Sequence, residues 1–231
     1  MGECAIPTYE ERLVEIINIS YKLLCNKIAG GEVVVNNEAS LQHQLSLILK
    51  HIGQPFLFAK EDRFEIELEK EIPIKSATNK SPNQKPRCDI WLTMGDTNNE
   101  DSIAEAAIEI KIFKYNKGTE ATTDNRYALL FDIENLEQYK RERRGTLLCY
   151  EVLYTNNPNY TKEDTNSEIK LAPLITQSAQ RTVAKKKNGV VYSKHQKVDL
   201  DYMYVANWDN YDSKHYFLKI DLQEKAETIH L

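Results

Sequence analysis

Paired cysteines, long apolar runs and a dominant charge are all absent from this sequence, and each absence removes a class of protein. The four cysteines, at positions 4, 25, 88 and 149, stand far apart. That spacing offers neither the close pairs of a zinc site nor the framework of a disulfide-stapled secreted domain. Reduced thiols in a cytoplasm fit this usage. No window approaches the roughly 18 apolar residues of a membrane-spanning helix, and the N-terminal MGECAIPTYEERLVEI has no basic stretch followed by an apolar core. A soluble, cytoplasmic protein with no membrane contact is expected. No G-x-x-x-x-G-K-S/T run occurs, so any chemistry is not coupled to nucleotide hydrolysis through a P-loop in this chain. With a net charge of −5, the molecule as a whole exerts no pull on nucleic acid. An anionic partner must meet a local basic patch or a bound metal ion.

What remains is the balance of a folded protein: 41% apolar and 28% charged residues with only eight glycines. A single domain over residues 1–231 is expected, with a core of about 32–155 and a C-terminal extension over 156–231. Leu13, Ile16, Ile17, Tyr21, Leu24 and Cys25 recur at helical spacing between Thr8 and Ala29, before Gly30-Gly31. Asn36 or Asn37 can cap a second helix with the stripe Leu41, Leu45, Ile48 and Ile52, closed by Gly53. Three strand-like runs follow, FEIELEKEI, CDIWLTM and AAIEIKIF, joined by turn-rich stretches that suggest a meander. A helical pattern from about Asn125 to Arg144 leads to the strand TLLCYEVLY. This order predicts an α/β fold, a mixed sheet flanked by helices. Beyond it, a helix around Leu174 to Lys185 and the short strands VVYS, YMYVANW and YFLKIDL are expected to extend the same sheet.

AAIEIKIF, residues 106–113, raises a chemical question, because two charges interrupt an otherwise apolar run. Side chains alternate along a strand, so Glu109 and Lys111 share one face. A half-exposed strand would explain them as its solvated side. Asp89, at the start of the preceding strand, points elsewhere: adjacent antiparallel strands would bring its carboxylate beside that of Glu109. Two converging carboxylates imply a shared proton or a bound cation. Oxygen ligands favour Mg2+, which takes one or two protein carboxylates and completes its shell with water and phosphate oxygens. Lys111 could then orient or deprotonate the attacking water and stabilise charge on a phosphorane-like transition state. At 100° per residue, Glu38 falls on the same side of the second helix as Leu41, Leu45, Ile48 and Ile52. It is either a partner of the helix dipole or a further metal oxygen; Glu32 is the fallback, and His43 falls on the opposite, exposed side.

Glu38 on a helix, Asp89 on a strand and Glu109-Ile110-Lys111 on the next strand resemble the PD-(D/E)xK nucleases, the restriction-endonuclease-like superfamily. The resemblance covers about residues 32–155 and extends to the helix NLEQYKRERRG and strand TLLCYEVLY, which look like the end of that family's αβββαβ core. It implies that Asp89, Glu109 and the Ile110 carbonyl are metal ligands, that Lys111 is the catalytic lysine and that Glu38 is an accessory acid. The family's proline is displaced: Cys88 precedes the aspartate, and Pro86 lies farther back. Gln138 and Tyr139 resemble a glutamine and tyrosine of exonuclease-like members, but here they are adjacent.

The basic clusters are Lys75, Lys80, Lys85 and Arg87; Lys140 to Arg144; and KKKNGVVYSKHQK. Such runs mostly keep a protein soluble. The third interleaves Lys185, Lys186, Lys187, Lys194, His195 and Lys197 with a glycine turn and Tyr192, and is the candidate grip on the phosphates of double-stranded DNA. Tyr202, Tyr204, Trp208, Tyr211 and Tyr216 are expected to pack in strands, although an exposed aromatic surface could pair two copies as a homodimer. The resulting expectation is a Mg2+-dependent DNA endonuclease, of a restriction or phage-defence kind. RNA as substrate, or a non-catalytic binding module on the same fold, are the alternatives.

Overall fold

The computed structural model describes residues 6–72, 86–114, 123–143, 146–163, 168–187 and 190–225. Helix α1 spans Tyr9–Ala29, and Thr8 opens it through a capping box with Glu11. Helix α2 spans Glu38–Gly53 and is capped by Asn37, whose side chain accepts from the Ser40 N–H. At Gly53 a Cβ would collide with the Phe64 ring, so the end of α2 lies directly against the first strand.

Strands β1 (Asp62–Glu71), β2 (Arg87–Asp96) and β3 (Asn99–Phe113) form an antiparallel meander. Helix α3 (Thr123–Glu142) then carries the chain to β4 (Leu147–Thr155), which runs parallel to β3. Every residue of β4 is buried, as a strand inside a sheet covered on both faces must be. Among the described residues the fold is α/β, with a mixed six-stranded sheet and three α-helices.

The two-residue period of the strands sorts the core into two layers. Ile90, Leu92, Ala106, Ile108, Ile110, Leu148, Tyr150 and Val152 pack with α1 and α2. Trp91, Ala107, Phe113, Cys149 and Leu153 pack with Leu129, Leu130, Ile133 and Leu136 of α3 on the other face. Cys25, Cys88 and Cys149 are buried free thiols.

The C-terminal third departs from the expected pattern. No helix forms at 174–185. Leu174 makes an isolated bridge to Val205, and β5 (Ser178–Lys187) pairs residue for residue with β6 (Val190–Asp199) as a separate two-stranded ribbon. Cross-strand pairing overrides a local spacing that suits either period. YMYVANW contributes bridges at Tyr204 and Val205 and only its tryptophan to a strand, β7 (Trp208–Asn210). β8 (Tyr216–Asp221) joins β4, giving the order β1-β2-β3-β4-β8-β7. Tyr204 and Tyr216 are buried, whereas Tyr202 and Tyr211 are exposed.

Candidate active site

The charged residues of the sheet gather where the β2–β3 ladder ends. Its last regular pair at that end is Ile90 with Ile108. There the ladder gives way to a side chain: the Asp89 Oδ2 accepts the Ile110 N–H at 2.7 Å. In an extended residue both main-chain groups point to one side, so the Ile110 carbonyl lies on the same edge as the Asp89 carboxylate. The Asp89 carbonyl is held in turn by Gln42 of α2 at 2.6 Å, and Gln42 also donates to Glu69 Oε1 at 3.1 Å. Glu69 faces this irregular point from β1 with φ 53°, a left-handed conformation that costs a residue with a Cβ about 1–2 kcal/mol.

Glu109 projects toward α3 and is 5% exposed, and the Tyr139 hydroxyl donates to its Oε1 at 3.2 Å. The alternative of a solvated strand face does not hold at Glu109, because α3 covers it. Lys111 lies farther along the same face, with its Nζ 2.5 Å from Asp132 Oδ2 on α3 and 3.7 Å from Glu38 Oε1 at the start of α2. Helix α3 therefore places Asp132 and Tyr139, two turns apart, on the lysine and the glutamate of β3. Glu38, which its angle places on the core-facing stripe of α2, has a side chain that is 52% exposed, and its carboxylate reaches Lys111 on β3. Glu32 is exposed and paired with Lys27, and His43 is exposed.

Glu151 is the residue that the sequence reading passed over. It stands opposite Glu109 in the parallel β3–β4 pair, is 0% exposed, and neither carboxylate oxygen has a hydrogen-bond donor among the described residues. The signal was available, since a lone glutamate in the apolar LLCYEVLY repeats the anomaly of AAIEIKIF. Asp132 left a weaker trace, seven residues before Tyr139 on the helix.

The electrostatics follow from the crowding of acids in a covered site. Burial pushes the Asp89 carboxyl up to about 6, although the Ile110 N–H and Lys111 act to lower it. Burial raises Glu151 well above the ordinary carboxylate range, and the neighbouring Asp132 adds to this against the pull of Lys111. Burial alone would lower Lys111, but Asp132, Glu151 and Glu38 outweigh it and hold the ammonium firmly protonated.

Among the described residues, no three or more His, Cys, Asp or Glu side chains are arranged as a ready-made metal site. Asp89, Glu109 and the Ile110 carbonyl offer two carboxylates and a main-chain oxygen, a donor set that suits a hard divalent cation completed by water. The lysines expected to grip DNA lie on the β5–β6 ribbon, where Lys185 pairs with Tyr192, Lys186 with Val191, Lys187 with Val190 and Lys194 with Val183. Their side chains, and Lys75, Lys80 and Lys85 altogether, lie outside the described residues. Lys197 is exposed and paired with Asp199 at 2.5 Å. No described helix is long and apolar enough to cross a membrane. Compared with known proteins, the chain matches no family model, no curated protein and no solved structure at a significant level.

Proposed function

We propose that this chain is a Mg2+-dependent endonuclease that hydrolyses DNA phosphodiesters, built on the αβββαβ core of the PD-(D/E)xK, restriction-endonuclease-like kind and serving restriction or phage defence. The observation that carries this reading is the end of the β2–β3 ladder, where Asp89 takes the Ile110 N–H beside Glu109 and Lys111 stands two residues along the same strand. The order α2, β1, β2, β3, α3, β4 supports it.

Asp89, Glu109 and the Ile110 carbonyl would hold the cation, which when bound neutralises phosphate charge and acidifies a water. The remaining work belongs to the chain. The Ile110 N–H fixes the Asp89 carboxylate, and Tyr139 fixes that of Glu109. Lys111, anchored by Asp132 and Glu38 as an ammonium, serves as a hydrogen-bond donor and positive charge toward the pentacovalent phosphate. That anchoring favours the orienting and stabilising role over the role of base. The lysines of the β5–β6 ribbon would contact backbone phosphates without reading sequence, and a homodimer would present two such sites to two strands.

The test is incubation of the protein with plasmid and with RNA, each with Mg2+ and with EDTA, beside Lys111→Ala. Mg2+-dependent cleavage of plasmid that is lost in the variant is expected. RNA cleavage alone would transfer the reading to an RNA hydrolase, and intact substrates throughout would favour a non-catalytic binding module.

A further inference from the structure

Regular strand pairing fails on both sides of β2 at Asp89. Toward β1 the register steps from Leu68–Ile90 to Lys70–Cys88, with no Glu69–Asp89 pair between them, and toward β3 the last regular pair is Ile90–Ile108. Glu69, at φ 53°, is the one non-glycine residue with positive φ among the described residues. A left-handed residue turns its strand out of the ladder and leaves the main chain beside it unpaired. Two side-chain contacts stand in for the missing rungs. Gln42 donates to the Asp89 carbonyl at 2.6 Å, and the Asp89 carboxylate accepts the Ile110 N–H at 2.7 Å.

The same Gln42 nitrogen donates to Glu69 Oε1 at 3.1 Å. From a buried position on α2 it joins the strained residue of β1 to the main chain of Asp89. Glu38 stands four residues before it, one turn away on the same side of α2, with its Oε1 3.7 Å from Lys111 Nζ. Helix α2 thus reaches both strands of the candidate site, β2 through Gln42 and β3 through Glu38. An aspartate side chain is short, so the direction of its Cα–Cβ bond decides most of where its oxygens lie. A carbonyl that is held fixes that bond. Glycine adopts a left-handed φ freely, whereas glutamate does so at a cost. A strained residue whose side chain makes a specific contact beside a site points to a role for that contact.

We propose that Gln42 is a positioning residue: steadied by Glu69, it holds the Asp89 main chain and so aims the Asp89 carboxylate at its ligand. Gln42 acts through Asp89 and touches neither cation nor substrate. The proposal rests on the nuclease reading for what Asp89 binds, a divalent cation. Groups that hold a metal ligand from behind change metal affinity by about 10–100-fold when they are removed.

The test uses the full chain and two readouts: Mn2+ affinity from the paramagnetic resonance signal of the free ion, and, in EDTA, the NMR shift of the Ile110 amide proton that donates to Asp89. Gln42→Met keeps the length of the side chain without its donor. Glu69→Gly suits the left-handed φ but removes the acceptor, and Glu69→Gln keeps an acceptor oxygen. Gln42→Met and Glu69→Gly are each expected to weaken Mn2+ binding at least about tenfold and to move the Ile110 amide, while Glu69→Gln stays near wild type in both. Glu69→Gly should melt no lower than wild type in EDTA, because its φ no longer strains a Cβ, so lost stability does not explain its weaker binding. Either readout unmoved in Glu69→Gly overturns the proposal, and this variant decides if Gln42→Met does not fold. Equal losses in Glu69→Gln and Glu69→Gly overturn it too, since Glu69 would then act by its charge. If wild type binds no Mn2+, the Ile110 amide decides alone by the same pattern. Plasmid cleavage is scored separately. A wild type that cleaves nothing while the expected shifts appear sinks the nuclease reading and leaves Gln42 its role. Cleavage by wild type, with neither readout moved in the variants, does the reverse.

Discussion

Lys111 on β3 and Asp132 on α3 form an ion pair of 2.5 Å with side chains only 17% and 16% exposed. Removing one member of such a sheltered pair leaves the other charge uncompensated, a loss that reaches about 3–5 kcal/mol in fully buried cases. Glu38 remains near Lys111 and softens it. Asp132→Asn is therefore expected to lower stability by about 1–3 kcal/mol in denaturant titrations and to lower Mg2+-dependent plasmid cleavage well beyond any loss in folded fraction. Equal cleavage per folded molecule would show that the pair only holds α3 to the sheet.

A second ion pair should govern acid stability. Burial alone would raise the Asp62 carboxyl, but the Tyr9 hydroxyl, the Ala59 and Phe58 N–H groups and the Arg12 guanidinium donate to it and bring it down to about 2. A carboxyl whose folded value lies below its unfolded value of about 3.9 stabilises the fold above that pH and loses the contribution as pH falls toward 2. The melting-temperature gap between wild type and Asp62→Asn should be wide at pH 7 and close progressively below pH 4. A gap that does not change with pH would contradict this.

Asp89 carries the opposite sign. Its folded value of about 6 lies above the unfolded one, so in EDTA the folded state binds more protons between about pH 4 and 6, and stability falls as pH rises through that window. Asp89→Asn, which keeps an oxygen for the Ile110 N–H, should gain melting temperature relative to wild type on going from pH 4 to 7. Parallel pH curves for the two proteins would refute the shift.

Glu151→Gln should behave likewise, farther up the scale. Burial raises the Glu151 carboxyl well above its ordinary range, so ionising it in the metal-free protein costs stability at alkaline pH. In EDTA the neutral isostere is expected to melt higher than wild type at pH 8–9, and by less at pH 5. A variant that is less stable at every pH would mean that the carboxylate has a partner in the fold.

The β5–β6 ribbon makes a salt-dependent prediction. Replacing Lys185, Lys186, Lys187 and Lys194 with Ala should weaken binding to duplexes of unrelated sequence alike. Each lost phosphate contact should reduce the slope of log affinity against log salt by about 0.9, as measured by fluorescence anisotropy. An unchanged slope would remove the ribbon from the interface.

The helices and strands up to β4 were legible because each is amphipathic or apolar at one clear period, and because Thr8, Asn37 and Gly53 mark their ends. The antiparallel pairing of the strands that carry Asp89 and Glu109 was legible because a short connection favours it, and it brings the Asp89 carboxylate to the Ile110 N–H. The C-terminal third was not legible, since LITQSAQRTVAKKK fits a helix or a strand and only its partner, Val190–Asp199, chooses between them. The same limit applies at Glu38, where angular position on a helix could not reveal that the side chain is half exposed and reaches Lys111.

By itself the sequence determined which residues alternate along β3, and hence that Glu109 and Lys111 share a face. That is fixed by covalent geometry and the pleat. Only the tertiary structure decided what that face meets. The parallel register of β3 with β4 set Glu151 against Glu109, and the crossing of α3 brought Asp132 and Tyr139 onto the same charges. Those contacts join residues 21 to 42 positions apart, and they arise from packing two layers over one sheet, a choice that no local period contains.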